Sequence, residues 1–385
     1  MSIRIGTRGS QLALAQAGAV ADRLRRAGHD AELVVIETAG DRQADRRFAD
    51  IGAPGVFVRE IEAALLANDI DMAVHSYKDL PSRGPDGLVV AAVPERRDPA
   101  DRLIARPEFI DRGTSGRSPK TAPPVLPARG PGAGAEVQGL LPLRPGVRVG
   151  TASARRRALL WEVRPDLQAV TLRGNVPTRV DKLRAGEAEA VILAAAGLER
   201  LQGVLDLDGL VTPRLDPALF VPAPAQGAIA LQCRRDDPVE KALAGLHDEA
   251  VAFPVRAERE LLRRVEGGCD LPFGAWCRSI EGGMLELIAI LEIGGAIVRE
   301  SRRGNDPGKL AARVWDAFVA AGARSGTASA AELSKGGEGS EGGERGDGSK
   351  GSQGEQDGDG VYHEMVAGPG EAGSRNGDAA IERGD

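Results

Sequence analysis

The chain predicts a doubly wound α/β fold, and three observations predict it. Short strand-like segments alternate with segments of helical spacing from residue 3 to residue 98. The same alternation returns over residues 147–217. Elements in this order bury both faces of a mostly parallel sheet. The third observation is length: 385 residues can build two or three domains, each with its own core.

Residues 3–5 (Ile-Arg-Ile) open the first strand. Ser10 can N-cap a helix through Leu12, Leu14, Ala17, Val20 and Leu24, spaced to share one face. Residues 32–37 are strand-like around Val34, Val35 and Ile36, and 58–67 have helical spacing at Ile61, Ala64 and Leu65. Residues 72–74 and 88–93 read as further strands. The period is lost over 106–146, where eight prolines mix with Gly, Ala and Ser. That stretch is expected to be a flexible surface insertion, with a folded hairpin as the lesser reading. Strands at 147–149, 169–172 and 190–194 then alternate with helices at 153–162 and 176–185, and a strand follows at 228–233. Residues 238–262 are expected to be helical in two pieces, because Pro254 lacks the N–H a helix interior needs. Gly294-Gly295 marks a hairpin within 284–299, and 310–321 is a closing amphipathic helix. From about residue 328 the chain is rich in Gly, Ser, Glu and Asp, which predicts disorder.

The net charge of −6 is unevenly spread. Residues 328–385 hold thirteen acidic and five basic side chains, a net of −8, so residues 1–327 carry +2. Residues 144–184 alone hold ten basic and three acidic side chains. Aromatic residues are only 3% of the chain and none interleaves with those arginines, which argues against nucleic-acid recognition by stacking. A small polyanion is the better match. The three cysteines do not make a disulfide framework, and Cys269 and Cys277 have no histidine near them to suggest a metal site. No apolar run reaches the roughly 18 residues of a membrane span. Ile3 and Ile5 enter a strand pattern at once, so a soluble protein in a reducing, cytoplasmic setting is expected.

Four arginine-bearing turns follow expected strands: Thr7-Arg8-Gly9-Ser10, the stretch from Gly150-Thr151 through Ser153, Arg155 and Arg156 to Arg157, Leu172-Arg173-Gly174-Asn175 with Arg179 beyond it, and Leu198-Glu199-Arg200. Open α/β sheets place ligands beyond the carboxyl ends of their strands. Helix N-termini there offer free N–H groups, Ser10, Thr151 and Ser153 can add hydroxyl donors, and guanidinium groups fork onto carboxylate or phosphate oxygens. Any one of these arginines is equally well read as a solvated helix-start charge; their recurrence at one topological position favours an anion cleft. Val74-His75-Ser76-Tyr77-Lys78-Asp79-Leu80-Pro81 ends a strand with charged residues closed by proline. Asp79 beside Lys78 can handle a proton or face a developing cation, although an Asp/Pro turn with an ion pair explains the same residues. His75 alone reads as structural. Glu266-Gly267-Gly268-Cys269-Asp270 puts a thiol on a glycine-bordered loop, where an ordinary loop cysteine is the plain alternative. Cys233, inside an apolar run, reads as a buried structural cysteine.

Six of these stretches, in order, resemble the porphobilinogen deaminase (hydroxymethylbilane synthase) family: residues 7–14, 75–81, 150–157, 172–176, Pro224-Ala225-Gln226-Gly227-Ala228, and Glu266-Gly267-Gly268-Cys269. The resemblance runs from residue 3 to about 325, apart from the insertion. It implies two doubly wound, periplasmic-binding-protein-like α/β domains, 1–99 with 220–242 and 100–219, plus a small α+β domain at 243–327. The acidic tail, 328–385, lies outside it. It implies a dipyrromethane cofactor held covalently by Cys269, with Lys78, Asp79, Ser10, Thr151, Ser153, Arg155, Arg156, Arg173 and Gly174 around it. Asp79 would be catalytic, and Arg8, Ser10, Arg155, Arg156, Arg173, Arg179 and Arg200 would hold the carboxylates of the substrate, porphobilinogen. The resemblance favours a monomer, with no metal, nucleic acid or membrane involved. Two departures stand out. Gly52-Ala53-Pro54-Gly55 replaces the family's usual Gly-Gly-Lys-Gly loop, and Ala152 stands where serine is common. The competing reading is a non-catalytic two-domain protein that binds a small anion; it leaves Asp79 and the Cys269 loop without a purpose.

Overall fold

The computed structural model describes residues 2–38, 58–111, 140–265 and 271–324. The acidic tail, the loop at 52–55 and the Cys269 loop lie outside the described residues. The first sheet has the order β2-β1-β3-β9-β4. It is formed by β1 (Ile3–Thr7), β2 (Ala31–Val35), β3 (Met72–Ser76), β4 (Leu88–Ala92) and β9 (Ile229–Arg234). β1, β2 and β3 are parallel, and β9 runs antiparallel between β3 and β4. Alternation along β3 decides which helix covers which face. Met72 and Val74 share a core with Ala17, Val20 and Leu24 of α1 (Gln11–Arg26) and Leu243 of α6 (Pro238–Ala244). Ala73 packs instead with Ile61 and Leu65 of α2 (Arg59–Leu66). Both faces are therefore covered, as the alternating pattern requires.

The second sheet repeats this plan in the order β5-β8-β6-β7. Its strands are β5 (Asp101–Ala105), β6 (Arg148–Gly150), β7 (Gln168–Val170) and β8 (Ala190–Ala194). Ala190 and Ile192 pack with Leu159, Leu160 and Val163 of α3 (Ala154–Val163). Val191 and Leu193 pack on the other face with Val180 and Leu183 of α4 (Val176–Arg184). A short helix, α5 (Ala195–Arg200), follows β8 directly. The third sheet is an antiparallel meander of β10 (Phe273–Ile280), β11 (Met284–Ile293) and β12 (Ala296–Gly304). One face of it is covered by α7 (Glu249–Val265) and α8 (Pro307–Ala320), whose Leu261, Val265, Leu310, Val314 and Phe318 complete its core.

Two expectations are corrected. Residues 106–111 and 140–146 are built into the second core, and residues 112–139 lie outside the described residues. Ile110 pairs with Leu143, Arg144 N–H donates to Phe109 O, and Leu141 and Leu143 are fully buried in the second core. Sequence period is silent there because residues 106–111 and 140–146 bury side chains with no more regular element than a single 3-10 turn, Pro107–Phe109. Pro254 does not split a helix either: α7 runs through it, and the break falls at residues 245–248. Asp248 starts α7 by accepting from the N–H groups of Ala250 and Val251. The apolar face carried by Ala252, Val255, Ala257 and Leu261 outweighs one lost backbone bond.

The chain crosses between the first two sheets twice, and the crossings are zipped together. Arg97 N–H donates to Gly227 O at 3.1 Å and Ile229 N–H to Glu95 O at 3.2 Å. Gly227 has φ +90°, and a Cβ there would meet Arg97 O at 2.4 Å, so only glycine fits. Glu258 of α7, fully buried, takes Arg96 at 2.7 Å and also accepts from the N–H groups of Ala225 and Cys277. That one carboxylate ties α7 and β10 to the crossings.

Candidate active site

β3 ends at Ser76 and runs straight into a single 3-10 turn, Tyr77–Asp79, which presents Lys78 and Asp79. Arg8 follows β1, the parallel neighbour of β3, so it stands at the same sheet edge. Ser10 caps α1 by accepting from Ala13 N–H. Ser153 caps α3 by accepting from Arg156 N–H, and buried Thr151 accepts from Ser153 N–H. Asn175 caps α4 through Thr178 N–H. Gly174 has φ +118°, and a Cβ would lie 2.7 Å from Thr178. Its carbonyl accepts from Arg179 Nε at 2.8 Å, which fixes that guanidinium over the turn.

One buried network joins the two sheets. Lys78 Nζ reaches Gln226 Oε1 at 3.4 Å. Gln226 Nε2 donates to Pro99 O at 2.8 Å and to Asp101 Oδ1 at 2.9 Å. Asp101, fully buried, takes Arg156 at 2.7 Å and Arg155 at 2.9 Å. Arg155 also donates to Val221 O at 2.6 Å. Sequence reasoning assigned nothing to Asp101, and Gln226 stood in a quoted motif without a role. No local pattern marks them, because their partners are distant in sequence.

The electrostatics place the predicted cations together. Burial pushes Lys78 down to about 8, while the charge of Asp79 pulls it up and that of Arg156 pushes it down. Burial, then Arg156 and Arg173, lower Arg179 to about 10, opposed by Asp79. Asp101 is held far below the usual carboxylate range by Arg155 and Arg156, against the cost of its burial. Lys78, Arg155, Arg156, Arg173 and Arg179 thus outnumber the two carboxylates among them. Among the described residues, Arg156 Nε is buried without a hydrogen-bond partner. A buried donor in a net positive cluster is suited to a ligand bearing several carboxylates.

Two predicted residues have guanidinium groups already bonded within the chain. Arg200 ends α5 instead of following a strand, and it donates to Glu95 at 3.0 Å and to Gly227 O at 2.8 Å. It is bound into the chain crossing. Arg155 is committed to Asp101 and Val221 O. His75 is buried against Gln232, which also donates to Glu62, and burial pushes it down to about 4. It is neutral and structural at ordinary pH. Cys233 packs in the first core, as expected of a structural cysteine.

Residues 3–242 match the family model described as porphobilinogen deaminase, dipyromethane cofactor binding domain, and residues 252–311 match porphobilinogen deaminase, C-terminal domain. A relative from Syntrophobacter fumaroxidans, named porphobilinogen deaminase, is 41% identical over 307 residues, covering 79% of this chain and 89% of its own. One of the same name from Rubrobacter xylanophilus is 42% identical over 323 residues, covering 83% and 94%. Among solved structures, the periplasmic VFT2 domain of Bordetella pertussis BvgS aligns at 16% identity over 64% of this chain and 86% of that one, with a TM-score of 0.35.

Proposed function

Because the chain belongs to the porphobilinogen deaminase family, we propose that Lys78, Asp79, Arg156, Arg173 and Arg179, with Arg8 at the same sheet edge, form its condensing centre. The enzyme is a transferase. It condenses four porphobilinogen molecules stepwise, with loss of ammonia, onto a dipyrromethane, then hydrolyses the product to hydroxymethylbilane. The observation that carries the site assignment is the excess of cations around Asp79, with the Nε of Arg156 buried and, among the described residues, unpaired. A dipyrromethane bears four carboxylates, so the donors present fit it. When bound, it would supply the free pyrrole α-carbon to which the first substrate ring is joined.

The side chains around it divide the remaining work. Asp79 protonates the leaving amine of porphobilinogen and stabilises positive charge on the pyrrole nitrogen of the substrate. Lys78 and the arginines hold carboxylates and so orient the rings, with Arg156 offering its unpaired Nε. Asp101 and Gln226 do not touch substrate; they fix Arg155, Arg156 and Lys78. Cys269 is the covalent anchor. The non-catalytic anion-binding reading is not favoured, since it gives the deaminase motifs no use. The division into 1–99 with 220–242, 100–219 and 243–327 is supported by the three sheets. Among the described residues no helix is long and apolar enough to cross a membrane. A monomeric, cytoplasmic enzyme belongs to the same proposal on family resemblance.

Intact-protein mass spectrometry tests the anchor. The purified protein should exceed the mass of its bare chain by two porphobilinogen units less two ammonia molecules, and Cys269→Ser should show the bare mass. An adduct persisting on the serine variant would remove Cys269 from this role. A pH profile tests Lys78. Its ammonium pairs with carboxylates below about pH 8 and is lost as pH rises through that value. The sign is therefore a falling kcat/KM on the alkaline side, starting at or above about pH 8 because bound carboxylates hold the proton on. Lys78→Arg should remove that limb while lowering kcat/KM at neutral pH. A limb unchanged in the arginine variant would assign it to another group.

A further inference from the structure

We propose that Arg259, on α7, is a positioning residue for the reaction: it holds the Tyr77–Asp79 turn so that Asp79 and Lys78 stay aligned with the cationic cluster. Its guanidinium donates to Leu80 O at 2.9 Å, to Tyr77 O at 3.5 Å and to Pro81 O, and it stacks on the Tyr77 ring with 4.7 Å to the centroid. These acceptors flank Asp79 on both sides in sequence. The turn needs such a clamp. It is one 3-10 turn without a side-chain cap, and its closing bond, Leu80 N–H to Tyr77 O, is long at 3.3 Å. Carbonyls at the C-terminal end of a helical turn carry partial negative charge, which a fixed cation satisfies. Tyr77 N–H is tied to Ala228 O at 3.0 Å, so the start of the turn belongs to the first sheet. Its end is tied to α7.

Glu258 and Arg259 are adjacent on α7 and grip different things. Glu258 takes the chain crossing and β10, and Arg259 takes the catalytic turn. Any shift of α7 is thus passed to the backbone on either side of Asp79. Arg259 also borders a cavity of about 610 Å³, shared with Tyr77, Leu80, Pro81, Phe253 and Glu260. Removing its side chain would leave a space that a small cation can enter from solvent.

The inference rests on the reading of Asp79 given above. Holoenzyme carrying Arg259→Ala, its cofactor confirmed by mass, should lose about tenfold to a hundredfold in kcat, with KM within about twofold, because a misplacement of about 1 Å at the reacting groups costs that much. Guanidinium or methylguanidinium at millimolar concentration should restore part of the lost kcat in that variant and not raise it in the parent. Arg259→Lys should fall between them, since one ammonium reaches fewer carbonyls. Unchanged kcat in loaded Arg259→Ala overturns the proposal. So does a loss of kcat that tracks a fall in melting temperature and does not respond to guanidinium. If the alanine variant fails to fold, the kcat-against-KM split in Arg259→Lys decides in the same way. Asp79→Ala, run alongside, separates the two readings. An inactive Asp79→Ala beside a normal Arg259→Ala ends only the positioning role, whereas an active Asp79→Ala ends the reading of Asp79 itself.

Discussion

Replacing Asp79 by alanine should leave a folded, cofactor-loaded protein whose elongation rate is lower by roughly 10³-fold or more. General acid catalysis by one side chain contributes about 10²–10⁴-fold, and a fixed charge facing a developing cation adds to it. The fold should be indifferent. Asp79 is exposed at the tip of the 3-10 turn and contributes nothing to any core, so its removal belongs with surface changes of about ±0.5 kcal/mol. Its charge raises Lys78 and Arg179, so its loss loosens the Lys78 proton, while it also removes a carboxylate that repels the carboxylates of the ligand; the two changes oppose each other at neutral pH. The signature is a collapse of kcat with KM nearly unchanged, measured by single-turnover addition of porphobilinogen. Asp79→Glu should recover part of the rate. A loss confined to KM would mean that Asp79 organises binding and does no proton chemistry.

Asp101→Asn should do the opposite and damage the fold together with the site. Asp101 is fully buried between Arg155 and Arg156, both almost fully buried themselves. Removing one partner of a buried ion pair costs about 3–5 kcal/mol, because it strands the other charge. Here two guanidinium groups are stranded. The asparagine amide would also point N–H groups at a donor on one side, whichever way it is turned. The variant should unfold at a clearly lower urea concentration, and its KM for porphobilinogen should rise as Arg156 drifts. Equal urea midpoints for parent and variant would show that the network is dispensable. Proton linkage agrees in sign. Asp101 is held well below its unfolded value, so its stabilisation is present above about pH 4 and is lost only as pH falls toward its lowered value.

The parts of this protein that were legible in its sequence are those with a local cause. Strand alternation at Met72-Ala73-Val74 separates two cores because successive side chains point to opposite faces. The cap at Ser10 follows from a single residue beside an apolar period. The Lys78–Asp79 turn announces itself by charge at a strand end. What stayed hidden depends on partners far away in the chain. Asp101 meets Arg155 and Arg156 at separations of 54 and 55 residues, and Gln226 at 125. Nothing in Asp98-Pro99-Ala100-Asp101 marks which acid will be buried. Arg200 looked like a ligand-facing turn residue because the short helix Ala195–Arg200 has too few positions to show a period, and its acceptor, Glu95, lies on a chain crossing 105 residues away. Pro254 was misread because a local rule about one missing N–H was weighed without the packed face around it.

The place of β9 in the first sheet has a consequence for how the chain is made. Ile229–Arg234 fills the gap between β3 and β4, which are synthesised long before it. Until β9 emerges, the inner edges of β3 and β4 have no strand between them and their N–H and C=O groups face water or a wrong partner. At about 5–20 residues per second, the interval between Ala92 and Ile229 is roughly seven to twenty-seven seconds. The second sheet, whose strands all lie within that interval, can close first. The half that carries Asp79 is therefore the later one to finish on the ribosome, and it is the half most exposed to chaperone capture and to mispairing during synthesis.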